Sequence, residues 1–138
     1  MIYNFLIYNI YMLNCKLISL IDSTKSCAYF TPFSFIHFLS GMSLNLGVRF
    51  LFPKLRYKFY LSLAIHTIYE CKDMTYSYIF KKRDYYKDNT FANSIGDTIS
   101  FIFGYYIANK LNYNKKVFGS CLVTYILFAI IFYYFKLG

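Results

Sequence analysis

Long apolar runs alternate with short charged segments along this chain. The apolar runs cover about residues 1–21, 27–52, 55–71, 91–108 and 117–135, and a longer polar stretch covers 72–90. The last run has 19 residues without a charged side chain, close to the ~20 that an α-helix needs to cross the hydrocarbon layer of a bilayer. The pattern predicts an all-α fold, a polytopic integral membrane helix bundle with four to five transmembrane helices. One domain, 1–138, would contain these helices and a loop at 72–90.

The first apolar run is the least regular of the five. Asn4, Asn9, Asn14 and Lys16 interrupt it, and the three asparagines do not share a helix face. It lacks a basic leading region and a small-residue cleavage site, which argues against a removable signal peptide. We predict that 1–21 spans the membrane, and a helix lying in the interface is the alternative.

The composition favours a bilayer as the surrounding solvent. The chain is 58% hydrophobic, 24% aromatic and 15% charged, whereas ordinary soluble domains are about 45–50% apolar and about 25% charged. The net charge of +9 comes from basic clusters between apolar runs, as expected for loops beside anionic lipid headgroups. We therefore predict a multi-pass membrane protein that contacts the lipid bilayer and binds no nucleic acid. The four cysteines show no C-x-x-C spacing and favour neither a zinc finger nor a disulfide scaffold.

Ionisable residues inside the apolar runs are the most informative feature of the sequence. Each costs at least ~2.5 kcal/mol in a spanning helix, so such residues usually face a partner or a cavity. Both histidines, His37 and His66, and two of the six carboxylates, Glu70 and Asp97, fall within or at the edge of these runs. His66 and Glu70 are four residues apart, as are Asn93 and Asp97, so each pair shares a helix face. Helices that cross alternately place all five side chains in one layer near one interface.

This layer predicts a polar site. As its catalytic residues we predict His37, His66, Glu70, Asn93 and Asp97, and as ligands of a divalent metal ion Glu70, Asp97 and His66. The first hypothesis is a membrane enzyme that acts on lipid or polyprenyl-linked headgroups, with loop 72–90 as a lid or rim over the site. The second is a small transporter or a proton or ion pathway. The third is a structural membrane scaffold whose polar faces only pack helices.

Several short motifs resemble those of a known family. In chain order they are Phe30-Thr31-Pro32-Phe33-Ser34-Phe35-Ile36-His37, then Leu63-Ala64-Ile65 with Glu70, then Asp84-Tyr85-Tyr86-Lys87-Asp88, and finally Asn93-Ser94-Ile95-Gly96-Asp97-Thr98. This order resembles a family of small uncharacterised bacterial inner-membrane proteins with D-Y-Y-x-D and N-S-x-G-D-T motifs, and more distantly the VanZ-like proteins. The resemblance covers roughly residues 29–109.

The resemblance implies further site residues and no particular reaction. The matched positions beyond the five are Asp73, Tyr85, Tyr86, Asp88, Ser94, Gly96 and Thr98. Two positions depart from the family pattern: His66 stands where the family has a glutamate, and Phe33-Ser34-Phe35 lacks the first of two histidines. Histidine and glutamate can both bind a metal or transfer a proton, so such a role survives the change.

Overall fold

In a computed structural model, the part of the chain that is described consists of two short strands followed by four helices. It covers residues 16–18, 28–79, 91–111 and 114–135. The elements are β1 (Lys16–Ile18), β2 (Ala28–Phe30), α1 (Pro32–Leu51), α2 (Lys58–Ile79), α3 (Phe91–Lys110) and α4 (Lys115–Phe135).

The two strands form a small parallel sheet that the all-α prediction did not include. Lys16 lies opposite Ala28, and Ile18 lies opposite Phe30. Each strand has three residues, too few for the alternation of apolar and polar side chains that reveals a strand in a sequence. Apart from β1, the predicted first span at 1–21 lies outside the described residues.

The helices follow four of the apolar runs, with shifted ends. The run predicted at 27–52 contains both β2 and α1, because Pro32 favours the first turn of a helix. Helix α2 continues to Ile79 and so occupies the beginning of the region predicted as a loop. The remainder of that predicted loop, 80–90, lies outside the described residues. At the start of α4, Asn114 Oδ1 accepts a hydrogen bond from Val117 N at 2.8 Å, which is a typical N-cap contact.

Helices α1 and α3 form the closest helix pair. A Cβ atom added to Gly41 on α1 would overlap the carbonyl oxygen of Phe101, and one added to Gly104 on α3 would overlap that of Phe38. Each glycine therefore admits the backbone of the opposite helix. Further along this contact, Asn45 Nδ2 donates to Tyr105 O at 3.1 Å. These contacts fix the relative position of the two helices that carry His37 and Asp97.

The prediction of a polytopic membrane bundle, and with it the multi-pass membrane location, is wrong. Over the described residues, none of the helices combines the length and the apolar character needed to cross a membrane. Charged residues inside the apolar runs make three of the helices less apolar: α1 carries Arg49, α2 carries Glu70 and α3 carries Asp97. In α4, the described residues likewise do not combine the two requirements.

The described interior contains about as many polar as apolar side chains. Leu46, Phe101 and Ala108 are fully buried, and so are Asn45 and Ser62. The other buried polar side chains are Ser34, Ser43, His66, Glu70, Asn93, Ser94 and Asp97. Because a buried polar group is costly unless it is hydrogen-bonded or paired, this concentration marks the interior as the place to look for a site.

Candidate metal centre

Three side chains from two helices bring metal-binding atoms together. His37 projects from α1, while His66 and Glu70 project from successive turns of α2. One ligand atom from each of the three lies within 4.8 Å of the others. His66 and Glu70 are buried, and the side chain of His37 is 15% exposed. We call these three residues the His37–His66–Glu70 cluster.

The Glu70 carboxylate lies between the two imidazole rings. Its Oε1 atom is 3.3 Å from His37 Nδ1 and 3.8 Å from His66 Nε2. The two rings are nearly perpendicular, with centroids 5.4 Å apart. Two imidazole nitrogens and a carboxylate oxygen therefore converge on one small region.

Asp97 lies on the other side of the His37 ring. Its Oδ2 atom is 3.6 Å from His37 Nε2, whereas Glu70 approaches Nδ1. Asp97 Oδ1 accepts a hydrogen bond from Ser34 Oγ at 2.5 Å, and Asp97 Oδ2 accepts one from Asn93 Nδ2 at 2.5 Å. Asp97 is thus held in place by α1 and by its own helix, next to the cluster.

His66 is held by α3. Its ring stacks on Phe101 with a centroid distance of 4.3 Å and an interplanar angle of 11°. Its Nε2 atom is 3.2 Å from Thr98 Oγ1, which is hydrogen-bonding distance. Both contacts come from one face of α3, since Thr98 and Phe101 are three residues apart.

Burial keeps both imidazole rings uncharged near neutral pH. Desolvation, together with the charge of the neighbouring His66, lowers the pKa of His37 from 6.5 to about 3. Desolvation also lowers the pKa of His66 from 6.5 to about 4. Metal ions bind the neutral form of imidazole, so the cluster has the protonation state that a metal ligand needs.

The structure brings together all five predicted catalytic residues, because each has at least one contact with another member. The group of possible metal ligands differs from the predicted set in one residue. It contains His37 with His66 and Glu70, whereas Asp97 approaches His37 Nε2, on the opposite side of the ring from Glu70. The resemblance also implied Ser94, Gly96 and Thr98. Ser94 is buried on α3, and a Cβ atom on Gly96 would overlap the carbonyl oxygen of Tyr29 in β2. Tyr85, Tyr86 and Asp88, as well as the side chain of Asp73, lie outside the described residues.

Two contributors were not predicted as site residues. Ser34, one helical turn before His37, accepts a hydrogen bond from Thr31 N at 3.1 Å and donates to Asp97. Its spacing of three residues from His37 is a signal that the sequence contains. Phe101 has no such signal, because a fully buried phenylalanine resembles any other core residue.

The chain matches no family model, and neither a curated protein nor a solved structure shows significant similarity to it. The resemblance to a bacterial inner-membrane family therefore stays a prediction from short motifs.

Proposed function

We propose that this protein is a metal-dependent enzyme whose divalent ion is bound by His37, His66 and Glu70. The observation that carries the proposal is the convergence of their ligand atoms within 4.8 Å in a largely buried setting. Two histidines and one carboxylate are the protein ligands of several catalytic zinc and iron centres.

The distances between the ligand atoms approach those of a transition-metal site. With metal–ligand bonds of about 2.0–2.1 Å, the ligand atoms of a tetrahedral site lie about 3.4 Å apart. Glu70 Oε1 is 3.3 Å from His37 Nδ1 and 3.8 Å from His66 Nε2, and the three ligand atoms lie within 4.8 Å of one another. Metal binding would therefore draw the side chains together by up to about 1.4 Å, and His66 Nε2 would exchange its contact with Thr98 for the ion. Imidazole nitrogens favour Zn²⁺, Fe²⁺ or Co²⁺ over Mg²⁺ and Ca²⁺, which prefer oxygen ligands.

Three protein ligands leave at least one coordination position for water or substrate. An ion bound by such a set lowers the pKa of its water and supplies a hydroxide nucleophile near neutral pH. The side chain of His37 is 15% exposed, so among the described residues this ligand is the least enclosed of the three. Hydrolysis by a metal-bound water is therefore the reaction class that we propose.

Calorimetric titration of metal-free protein with Zn²⁺ and Co²⁺ tests the binding step. We expect one ion per chain, binding at least ten times more weakly in Glu70→Gln, because a ligand charge is lost. Thr67→Ala, which changes an exposed residue of the same helix, serves as the matched control and should bind like the wild type. Absence of saturable binding in the folded wild-type protein would refute the proposal.

Hydrolysis of model substrates tests the chemistry. The metal-loaded protein should hydrolyse p-nitrophenyl acetate or bis(p-nitrophenyl) phosphate, and EDTA and Glu70→Gln should each abolish the activity. Metal binding without hydrolysis of either compound would support the metal site and contradict the proposed enzymatic activity. The natural substrate, including the predicted lipid or polyprenyl-linked headgroup, stays a prediction, as do the transporter and scaffold alternatives.

A further inference from the structure

The second carboxylate beside His37 has a different environment from Glu70. Asp97 is 2% exposed, and its two oxygens accept hydrogen bonds from Ser34 and Asn93, both at 2.5 Å. The Ser34 hydroxyl accepts from Thr31 N at 3.1 Å, so its own proton is directed to Asp97. A carboxylate already bound by two donors is a poor candidate for direct metal coordination.

The same carboxylate is well placed to act on His37. A neutral imidazole carries its proton on one nitrogen and offers the other as a ligand. In His37, Nδ1 faces Glu70 and the cluster, whereas Nε2 faces Asp97 Oδ2 at 3.6 Å. This separation is about 0.6 Å longer than an ordinary N–H···O hydrogen bond, and such contacts often shorten when the site is loaded.

From this geometry we infer that Asp97 is a positioning residue, which accepts the Nε2 proton of His37 and thereby presents Nδ1 to the metal. Ser34 and Asn93 hold the Asp97 carboxylate for this task. The inference rests on the proposed metal site. Carboxylate–histidine–metal arrangements fix the ring and raise the basicity of the ligand, and their loss typically weakens metal binding 10- to 100-fold.

The same arrangement explains why Ser34 and Asn93 are buried beside Asp97. Ser34 lies one turn before His37 on α1, and Asn93 lies one turn before Asp97 on α3. The Ser34–Asp97 hydrogen bond therefore joins the helix that carries the ligand to the helix that carries the acceptor. A shift between these helices would change the distance between Asp97 and the His37 ring.

Nitrogen NMR of the Zn²⁺-bound protein, labelled with ¹⁵N-histidine, tests the inference directly. We expect His37 to coordinate through Nδ1 and to keep a proton on Nε2. Coordination through Nε2 would overturn the inference, because Asp97 would then be on the metal side of the ring. A merely structural role for Asp97 does not specify which nitrogen binds.

Zn²⁺ affinity measured by competition with a chromophoric chelator provides the second readout. Asp97→Asn should weaken binding 10- to 100-fold while far-UV circular dichroism stays unchanged. Affinity equal to that of the wild type would overturn the inference, and absence of Zn²⁺ binding in the wild type would instead refute the proposed function.

Two serines on α1 supply a milder test if Asp97→Asn does not fold. Ser34→Ala removes one donor from Asp97 and should weaken Zn²⁺ binding by at least threefold. Ser43→Ala removes a buried hydroxyl nine residues further along the helix, which has no hydrogen-bond partner among the described residues, and should not change the affinity. Equal affinities of Ser34→Ala and the wild type would overturn the inference.

Discussion

Acidification should destabilise the metal-free protein through its two histidines. Burial lowers the pKa of His37 to about 3 and that of His66 to about 4, whereas both should be near 6.5 in the unfolded chain. At pH values between the folded-state and unfolded-state pKa values, the unfolded state binds more protons than the folded state. The free energy of unfolding therefore falls as the pH is lowered below 6.5, and the loss ends only when the folded-state pKa values are reached.

The expected loss is a substantial fraction of the stability of an ordinary domain. Each histidine changes the free energy of unfolding by up to about 1.4 kcal/mol per pH unit, which amounts to about 2 kcal/mol between pH 7 and pH 5. Together the two histidines account for about 4 kcal/mol, out of the 5–15 kcal/mol typical of folded proteins.

Urea denaturation between pH 7 and pH 5, with EDTA present, measures this loss. The chain has no tryptophan, so circular dichroism at 222 nm is the suitable signal. The control is the His37→Gln, His66→Gln double variant, which contains no histidine because the chain has only these two. Its stability should change by about 4 kcal/mol less over the same range.

Two results would refute the reasoning. Equal losses in the wild type and the double variant would show that the histidines do not titrate differently on folding. A wild-type stability that rises on acidification would show that Glu70 and Asp97, 3.3 and 3.6 Å from His37, outweigh desolvation and raise the pKa of that ring.

Three further predictions concern the packing that positions the site. Gly104→Ala should lower the free energy of unfolding by about 1–3 kcal/mol, because its Cβ would overlap the carbonyl oxygen of Phe38. Phe101→Ala should cost about 3–5 kcal/mol, since the side chain is fully buried, and should also weaken Zn²⁺ binding through the loss of its stacking on His66. Asn45→Ala should cost about 1–3 kcal/mol, because it leaves the buried Tyr105 carbonyl without this donor. Urea denaturation at pH 7 measures all three.

Each of these predictions has its own contrary result. Among the described residues, no atom beyond the adjacent residues and the backbone of α4 itself lies within 4 Å of a Cβ added to Gly119, so Gly119→Ala should stabilise the helix by about 0.5–1 kcal/mol. Equal effects at Gly104 and Gly119 would contradict the close approach of α1 and α3. Unchanged Zn²⁺ affinity in Phe101→Ala would show that the stacking of Phe101 on His66 does not contribute to metal binding. A loss below about 0.5 kcal/mol in Asn45→Ala would mean that its hydrogen bond is not important for stability.

The sequence predicted the positions of the helices more accurately than the environment in which they lie. The apolar runs at 91–108 and 117–135 correspond to α3 and α4 within two residues at each end, because helix periodicity is a local property. The same runs led to the wrong prediction of membrane spans. Hydropathy averaged over a run gives too little weight to single polar residues such as Arg49 and Asp97, which turn out to mark helix contacts and the site.

For the candidate site, the sequence by itself determined which residue types are available and which of them share a helix face. His66 with Glu70, and Asn93 with Asp97, follow from a spacing of four residues. The assignment of Glu70 to the cluster and of Asp97 to the far side of His37 required the tertiary structure. That choice depends on how α1, α2 and α3 pack, which glycines admit a neighbouring backbone, and which ring nitrogen faces which carboxylate. Contacts between residues more than 30 positions apart are set by the packing of the whole chain, and no local pattern specifies them.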